Sequence, residues 1–264
     1  MGNLENRTVV VIGASSGIGR GIALRAIRSG AEVIVAARRL DRLESLIAEA
    51  GGGHPLAMDL CEAADLERLV ETVAALESSI DLVVISAGSA PLGRVEQISP
   101  DDWHTTLQTN LIGIHQAIAA VLPHLSPQAV VAVVSSESAT EPRSHLGAYG
   151  ASKAGLEHTL LQWQEEHPWL RFTTVSLGAT VPTEFGHGFR EEDIVEAIGA
   201  WASSGRSQTA FMDVEHVCNL LAETFGAMMI APTVGMPRIE LRSPAPPASG
   251  PDAAVAAAAA SRSS

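Results

Sequence analysis

Short apolar runs alternate with helical patterns along most of the chain. The run Ala129–Val134 is apolar at every position, which is typical of a β-strand that is covered on both faces. Strands and helices in strict alternation predict an α/β fold, a single domain with a doubly wound parallel sheet and right-handed crossovers. We predict six strands: Thr8–Ile12, Glu32–Ala37, Pro55–Met58, Asp81–Ile85, Ala129–Val134 and Phe172–Leu177.

Two helices have clear end signals. One begins at Gly17 and stops before Gly30, which is a suitable C-terminal cap. Another opens with Ser99 as its N-cap and Pro100 at its first position. The apolar stripe that follows predicts one continuous helix to Leu122. Its expected buried face consists of Leu107, Leu111, Ile114, Ile118 and Val121.

The composition changes abruptly after Leu241. Residues 243–264 consist mainly of alanine, proline, serine and glycine, and they offer almost nothing to bury. We therefore expect a domain of residues 1–242 followed by a disordered tail over 243–264. A docking peptide within the tail is the alternative.

The bulk composition excludes several classes of function. The chain has 264 residues and a formal net charge of −13, so we expect neither nucleic acid nor an anionic membrane as a partner. Cys61, Cys218 and the nine histidines show no metal-ligand spacing, so we expect no metal. The residues from Thr8 onward already read as a strand, and no apolar run has the length of a membrane span. We therefore expect a cytoplasmic protein.

A glycine-rich loop stands where the first strand turns into the first helix. Glycines there let the backbone approach a pyrophosphate closely, and the helix N-terminus presents free N–H groups to it. The order of strand, loop and helix agrees with a Rossmann-type dinucleotide-binding fold. The expected contacts are Gly13, Ser15, Ser16, Gly17, Ile18 and Gly19.

The end of the second strand indicates which nicotinamide cofactor is preferred. An acid about 20 residues after the glycine loop usually holds the ribose 2′-hydroxyl of NAD, whereas the 2′-phosphate of NADP needs a cation. Here the strand ends at Ala37, and Arg38 and Arg39 follow. Asp41 falls in the first turn of the next helix, where an acid has an ordinary dipole role. We expect NADP(H) to be preferred over NAD(H), with Arg38 the more important arginine; the alternative is a solvated charged turn.

The only tyrosine, Tyr149, stands four residues before the only lysine, Lys153, and every other residue among the 17 lysines and arginines is arginine. On a helix these two positions share a face. A phenol titrates near pH ~10, and a cation held beside it stabilises the phenolate and makes it a usable proton-transfer group. The pairing predicts acid–base chemistry here; the alternative is a chance exposed pair.

These motifs together resemble the short-chain dehydrogenase/reductase family in its short branch, over nearly the whole chain except the tail. The family carries a glycine motif of this spacing, a Tyr-x-x-x-Lys motif, and a serine 13 residues before the tyrosine, which is Ser136 here. The active-site asparagine of the family matches Asn110. Its adenine-contacting acid matches Asp59.

The resemblance implies an oxidoreductase that transfers a hydride between NADP(H) and a carbonyl or secondary alcohol. Ser136 and Tyr149 would hydrogen-bond the carbonyl oxygen, and Tyr149 would donate a proton. Lys153 would lower the pKa of the phenol and bind ribose hydroxyls. Asn110 would hold a water that connects Lys153 to solvent. The implied catalytic set is Asn110, Ser136, Tyr149 and Lys153.

The chain departs from the family pattern at several cofactor contacts. Ile12 stands in place of the usual threonine, and Ser86 stands where asparagine is common. Leu177 replaces the usual proline before Gly178. The threonine expected four residues after Gly178 lies five residues after it, as Thr183. Thr180 is the alternative contact to the carboxamide of the nicotinamide. The implied further contacts are Asp59, Leu60, Ser86, Ala87, Gly88, Tyr149, Lys153, Gly178, Thr180 and Thr183.

The substrate and the direction of reaction are open. Residues 178–210 resemble the mobile lid that shapes the family's substrate pockets, with Gly186 and Gly188 as hinges. Apolar residues in this segment and just after it favour a small apolar ketone. They are Phe185, Phe189, Trp201, Phe211 and Met212. The alternative function is a non-catalytic NADP-binding regulator or scaffold on the same fold.

We also expect a homodimer or homotetramer. The apolar stripe of the helix from Ser99 to Leu122 and the apolar positions after Tyr149 exceed what one sheet face needs. Family members that resemble this chain commonly pair these two helices across a two-fold axis. The positions after the tyrosine are Ala151, Leu156, Leu160 and Trp163.

Overall fold

The computed structural model describes residues 4–205 and 211–244, in which one large parallel sheet has helices on both faces. The strands are β1 (Thr8–Ile12), β2 (Glu32–Ala37), β3 (His54–Ala57), β4 (Ile80–Ile85), β5 (Leu125–Ser136), β6 (Arg171–Leu177), β7 (Thr180–Val181), β8 (Met212–Asp213) and β9 (Arg238–Leu241). The helices are α1 (Gly17–Arg28), α2 (Leu40–Ala50), α3 (Ala63–Ala74), α4 (Pro100–Leu107), α5 (Gly113–Val121), α6 (Gly147–Glu166), α7 (Glu191–Ser203) and α8 (Val214–Ile230).

The sheet has the strand order β3-β2-β1-β4-β5-β6-β9, and every pair is parallel. Chain order therefore reverses between β1 and β4, where Ile12 pairs with Ile85. In sheets of this kind ligands bind in the crevice outside the carboxyl ends of the strands at the reversal. The doubly wound, Rossmann-type architecture predicted from the sequence is confirmed.

Alternate side chains of the strands enter two separate hydrophobic layers. In β5, Val130 and Ala132 pack in the layer with α1 and α8, whereas Val131 and Val133 pack in the layer with α3, α5 and α6. All four are fully buried, which confirms a strand covered on both faces. Burial of each such side chain contributes about 1.5–3 kcal/mol, so the central strands are a rigid platform for the loops at their ends.

The helix predicted from Ser99 is interrupted. Ser99 caps α4 as expected, since its hydroxyl accepts a hydrogen bond from the Asp102 backbone N–H at 3.1 Å. Residues Gln108–Ile112, however, form a π-helical turn between α4 and α5. The extra residue in this turn shifts the buried face, and Leu107 and Leu111 are only half-buried. Such turns are common at functional sites, and this one contains Asn110.

Three short strands escaped the sequence analysis. β9 has four residues, of which Arg238 and Glu240 are charged, so it lacks an apolar pattern. It forms the sheet edge by pairing with β6, with Val175 opposite Ile239. β7 and β8 pair with each other in a separate two-stranded sheet, two residues from each. That small sheet ties the start of the predicted lid to the segment before α8.

The apolar positions of α6 do not support the expected oligomer interface. Leu156, Leu160 and Trp163 belong to the chain's own hydrophobic core on one face of the sheet. The expectation that these apolar residues exceed what the sheet needs is therefore wrong at these positions. Leu161 and Ile112 do stay 66% and 43% exposed. The oligomeric state stays a prediction.

Some predictions fall outside the described residues. Almost all of the predicted tail does so, as do residues 206–210 of the predicted lid, and the domain limits stay a prediction. In the described part of the chain, no helix combines the length and hydropathy that a membrane span requires. Over the same residues, no cluster of three or more histidine, cysteine or acidic side chains is arranged to hold a metal.

Candidate active site

The glycine loop between β1 and α1 is pressed against the loop that follows β4. Gly13 has a φ of +87°, and a Cβ at this residue would lie 2.5 Å from the Ala87 backbone nitrogen. A Cβ at Gly19 would lie 2.2 Å from the Gly13 carbonyl oxygen and 3.2 Å from the Ser86 Cβ. Only glycine fits at these two positions. The tight turn exposes the N-terminus of α1 at the crevice, as a pyrophosphate site requires.

Arg39 is the arginine that contacts the glycine loop. Its Nη2 lies 3.0 Å from the Ser15 hydroxyl and 3.2 Å from the Ser16 hydroxyl. These donors converge outside the N-terminus of α1 and fit an anionic group of a dinucleotide. Arg38 is exposed and lies toward Cys61; burial raises the pKa of that thiol, and the Arg38 charge acts only weakly against it. The contacts therefore do not support the expectation that Arg38 matters more than Arg39.

Asp59 and Leu60 form the turn after β3 at the same edge of the sheet. The Asp59 carboxylate accepts a hydrogen bond from the Cys61 backbone N–H at 2.9 Å. Leu60 is buried, and a Cβ at Gly113 would lie 2.7 Å from its carbonyl oxygen. This contact anchors the turn to α5. The predicted adenine-side residues thus lie beside the crevice, next to the end of β2.

Tyr149 and Lys153 share one face of α6 and point to the end of β5. The Ser136 side chain lies beside the Tyr149 phenol and acts to lower its pKa. The Lys153 ammonium donates a hydrogen bond to the Val134 carbonyl oxygen at 2.9 Å and lies 5.9 Å from the centroid of the Tyr149 ring. Both side chains are buried. The structure therefore brings three of the four predicted catalytic residues together.

Asn110, which lies in the π-helical turn, is the fourth residue of the predicted catalytic set. Its Oδ1 accepts a hydrogen bond from the Ser89 backbone N–H at 2.8 Å, and its Nδ2 donates to the Ser89 carbonyl oxygen at 2.7 Å. Nδ2 also donates to the Ser152 hydroxyl at 3.0 Å, and that hydroxyl donates to the Tyr149 carbonyl oxygen at 2.7 Å. Asn110 thus ties the loop after β4 to the helix that carries Tyr149 and Lys153. Whether it also holds a water stays a prediction.

Burial dominates the protonation of the two central groups. It raises the pKa of Tyr149 to about 12, against a lowering effect of the Ser136 hydrogen bond, and the charge of Glu137 raises it further. Burial also lowers the pKa of Lys153 to about 8, against a raising effect of the Glu157 charge. The net shift of Tyr149 is opposite to the lowering that the lysine suggested, because burial withdraws the phenolate from water.

Glu157 is a residue that the sequence analysis missed. Its carboxylate accepts a hydrogen bond from the Ser135 hydroxyl at 2.7 Å and pairs with Arg238 of β9 at 2.7 Å. It stands four residues after Lys153, as Ser152 stands three after Tyr149, so helical spacing could have indicated both. Nothing in the sequence pattern indicates Arg238, because its strand is not recognisable.

The segment after β7 covers both ends of the crevice. The Thr183 side chain lies over the glycine loop, where a Cβ at Gly17 would be 3.8 Å from it. The Phe185 ring meets the Tyr149 ring edge-on at a centroid distance of 5.0 Å. Between them, Glu184 pairs with Arg39. The Thr180 hydroxyl, in β7, instead donates a hydrogen bond to the carbonyl oxygen of Gly178, two residues earlier, at 3.0 Å.

The apolar residues expected to line the substrate pocket lie in different parts of the structure. Phe185 contacts Tyr149, and Phe189 packs against Phe185 with ring centroids 5.8 Å apart. Trp201 of α7 instead donates a hydrogen bond to the Ser144 carbonyl oxygen at 2.8 Å, which fastens α7 to the loop before α6. Met212 packs against the sheet core. Among the described ring contacts, Phe185 is the expected lining residue that touches the tyrosine.

A charged cluster lies next to Ser136. Glu137 is buried and pairs with Arg143 and, at 3.3 Å, with Arg242 at the end of β9. A Cβ at Gly178 would lie 3.3 Å from a Glu137 carboxylate oxygen. The site therefore has an apolar wall on the lid side and a paired ionic wall on the β9 side.

Comparisons with known proteins agree with this geometry. A family model described as short chain dehydrogenase matches residues 7–193. An uncharacterized oxidoreductase of Listeria monocytogenes is 30% identical over 156 residues, which cover 57% of this chain and 63% of the relative. A glycine betaine reductase of Emericella nidulans is 30% identical over 226 residues, 83% of this chain and 17% of that protein. The match thus spans less than two thirds of either relative.

Solved structures share the fold. An alcohol dehydrogenase of the archaeon Thermococcus sibiricus, complexed with 5-hydroxy-NADP, superposes with a TM-score of 0.77 at 24% identity, over 91% of this chain and 97% of the other. A serine dehydrogenase complexed with NADP⁺ gives a TM-score of 0.76 at 25% identity, over 89% and 94%. The family model covers well over half of the chain, and the sheet order, glycine loop and Tyr149–Lys153 face agree with it. The chain belongs to the short-chain dehydrogenase family.

Proposed function

We propose that the protein is an NADP(H)-dependent oxidoreductase that interconverts a ketone and a secondary alcohol. The observation that carries the proposal is the placement of Tyr149, with Ser136 beside its phenol and Lys153 facing its ring, next to the glycine loop at the sheet crevice. A phenol, a hydroxyl and an ammonium in one buried site provide donors for a carbonyl oxygen and a source for its proton.

The Ser136 hydroxyl and the Tyr149 phenol bind the carbonyl oxygen and stabilise the negative charge that develops there. With a pKa of about 12, Tyr149 stays protonated at neutral pH and is therefore suited to donate a proton. A nicotinamide cofactor held by the glycine loop would supply the hydride in this direction. Lys153, below its pKa of about 8, holds a positive charge beside the phenolate that is left. Asn110 keeps the surrounding loops in place through Ser89 and Ser152.

The preference for NADP(H) rests on Arg39. Its guanidinium and the Ser15 and Ser16 hydroxyls form a cluster of donors where β2 and the glycine loop meet, and Ala37 offers no carboxylate for a ribose hydroxyl. Charge-assisted hydrogen bonds to a 2′-phosphate contribute about 1.5–3 kcal/mol. Two neighbours of similar fold, at 24% and 25% identity, are complexed with an NADP derivative and with NADP⁺.

A small, largely apolar carbonyl compound is the substrate class that the walls of the site favour. Phe185 supplies the apolar side next to Tyr149, and Phe189 packs against Phe185. On the other side, Glu137 is already paired with Arg143 and Arg242, and Arg242 also pairs with Glu240 at 3.1 Å, so two acids balance two arginines in that wall. We further propose that the protein works as a homodimer or homotetramer, for which Ile112 and Leu161 offer exposed apolar contacts. A mass of 27.5 kDa by light scattering would contradict this.

The test is Tyr149→Phe, which removes the phenol hydroxyl and keeps the ring that packs against Phe185. We expect kcat on a panel of ketones with NADPH to fall by about 10²–10⁴-fold, in line with the loss of general acid catalysis. NADPH binding by calorimetry and the unfolding midpoint should stay close to those of the wild type. Wild-type turnover in the variant would overturn the assignment. A wild type that binds NADPH but turns over no ketone or alcohol would favour a non-catalytic regulator.

A further inference from the structure

Glu184 places a carboxylate in the cluster of donors around Arg39. It pairs with Arg39, lies 3.8 Å from the Arg42 guanidinium, and has the Ser16 side chain beside it, which also acts to lower its pKa. The Arg39 hydrogen bond is the largest of the effects that hold the pKa of Glu184 below its usual range. The lid segment thus supplies an anion to the site that the glycine loop and the start of α2 form.

This donor set is the kind that a phosphate monoester requires. Two guanidiniums and two serine hydroxyls stand at the N-terminus of a helix, and all can donate hydrogen bonds. A carboxylate satisfies the same donors with one negative charge, whereas a phosphate monoester brings about −1.5 to −2 and three oxygens. A phosphate that reaches Arg39 therefore meets Glu184 in the same place.

We propose that Glu184 is a specificity-determining residue that competes with the 2′-phosphate of the cofactor for Arg39. The inference rests on the proposed NADP(H) preference. A nucleotide without a 2′-phosphate leaves the Arg39–Glu184 pair intact, whereas a nucleotide with one has to displace the carboxylate. Glu184 therefore weakens the preference that Arg39 creates.

The neighbours of Glu184 connect this competition to the lid. Thr183 lies on the glycine loop and Phe185 lies on the Tyr149 ring, so Glu184 is held between two contacts with the site. The pair itself is partly exposed, with side-chain exposures of 43% for Arg39 and 25% for Glu184. Solvent screens such a pair, so a strongly charged ligand can displace it.

Calorimetry with two nucleotide fragments tests the proposal without catalysis. The probes are adenosine 2′,5′-bisphosphate and adenosine 5′-monophosphate, which differ only in the 2′-phosphate. Glu184→Gln should lower the Kd of the bisphosphate by about two- to five-fold, the range of a partly exposed ion pair. The Kd of the monophosphate should not change. The matched control is Glu192→Gln, an exposed acid of the same segment that pairs with Arg190 and should change neither.

Arg39→Gln and the double variant Arg39→Gln/Glu184→Gln complete the design. Without Arg39, the removal of Glu184 should no longer affect the bisphosphate. An unchanged bisphosphate Kd in Glu184→Gln, or an equal gain for both nucleotides, would overturn the competition while the Arg39-dependent preference stands. If the wild type binds both nucleotides equally and Arg39→Gln changes neither Kd, the NADP(H) preference fails and the role of Glu184 fails with it.

Discussion

Replacement of Lys153 by methionine should stabilise the free protein while it destroys the proton-transfer site. Lys153 is the only lysine, it is buried, and its pKa is lowered from 10.5 to about 8. At ~1.36 kcal/mol for each pKa unit, the charged form is disfavoured in the native state by about 3 kcal/mol. The hydrogen bond to the Val134 carbonyl oxygen offsets about 1 kcal/mol of this. Methionine, an unbranched side chain of similar length, should therefore stabilise the fold at pH 7 by about 2 kcal/mol.

The pH dependence identifies the cause. Between pH 8 and pH 10.5 the unfolded state binds a proton at Lys153 that the native state has released. The stability of the wild type should therefore rise through this window relative to the variant, and the advantage of Lys153→Met should disappear near pH 10.5. Urea unfolding at pH 7, 8, 9 and 10, followed by tryptophan fluorescence, measures the difference.

Arg28→Met is the control, because it removes a cation that is 54% exposed and pairs only loosely with Glu49. Its effect should stay within about 0.5 kcal/mol and should not depend on pH in this range. The reasoning would be refuted if Lys153→Met were less stable than the wild type at pH 7. It would also be refuted if the stabilisation were the same at pH 10, since burial of the charge would then not be its source.

Two further predictions concern the glycine loop and the Glu157 carboxylate, whose charge acts on Lys153. Gly19→Ala should destabilise the fold by about 1–3 kcal/mol and weaken NADPH binding, because its methyl group would collide with the Gly13 carbonyl oxygen. Gly199→Ala in α7, where nothing lies within 4 Å, should instead stabilise by about 0.5–1 kcal/mol, and denaturant unfolding compares the two variants. Glu157→Gln should lower the pKa of Lys153 further, since the carboxylate raises it. The alkaline limb of the kcat/KM profile should then move to lower pH, and an unmoved limb would contradict the link between the two groups.

Several parts of the fold and site follow from local sequence alone. Apolar runs predict the five inner strands β1, β2, β4, β5 and β6 because each is covered on both faces, whichever strands are its neighbours. The edge strand β3 is largely exposed, and its short run is a weaker signal. The glycine loop is predictable because strand, turn and helix are adjacent in the chain. The shared face of Tyr149 and Lys153 follows from helical periodicity, and the serine and asparagine positions follow from the resemblance to a family whose motifs keep fixed spacings.

Only the tertiary structure decides which charged groups act on the site. In the sequence Arg38 lies nearer the strand end and is expected to matter more, but the entry of the chain into α2 turns Arg39 toward the glycine loop. Glu184 is 145 residues from Arg39, so no local pattern pairs them. β9 is too short and too charged to recognise, yet it brings Arg238 to the group behind Lys153.

The direction of the Tyr149 pKa shift has the same origin. Spacing places an ammonium near the phenol and suggests a lower pKa, but spacing carries no information about burial. In the folded chain, β5, α6 and the lid residue Phe185 exclude water from the phenol, and the desolvation of the phenolate outweighs the hydrogen bond from Ser136. Local sequence and the family motifs are enough to indicate the glycine loop and the set Asn110, Ser136, Tyr149 and Lys153. The packing of segments distant in sequence adds Glu157, Glu184 and Arg238 and sets the protonation of the central groups.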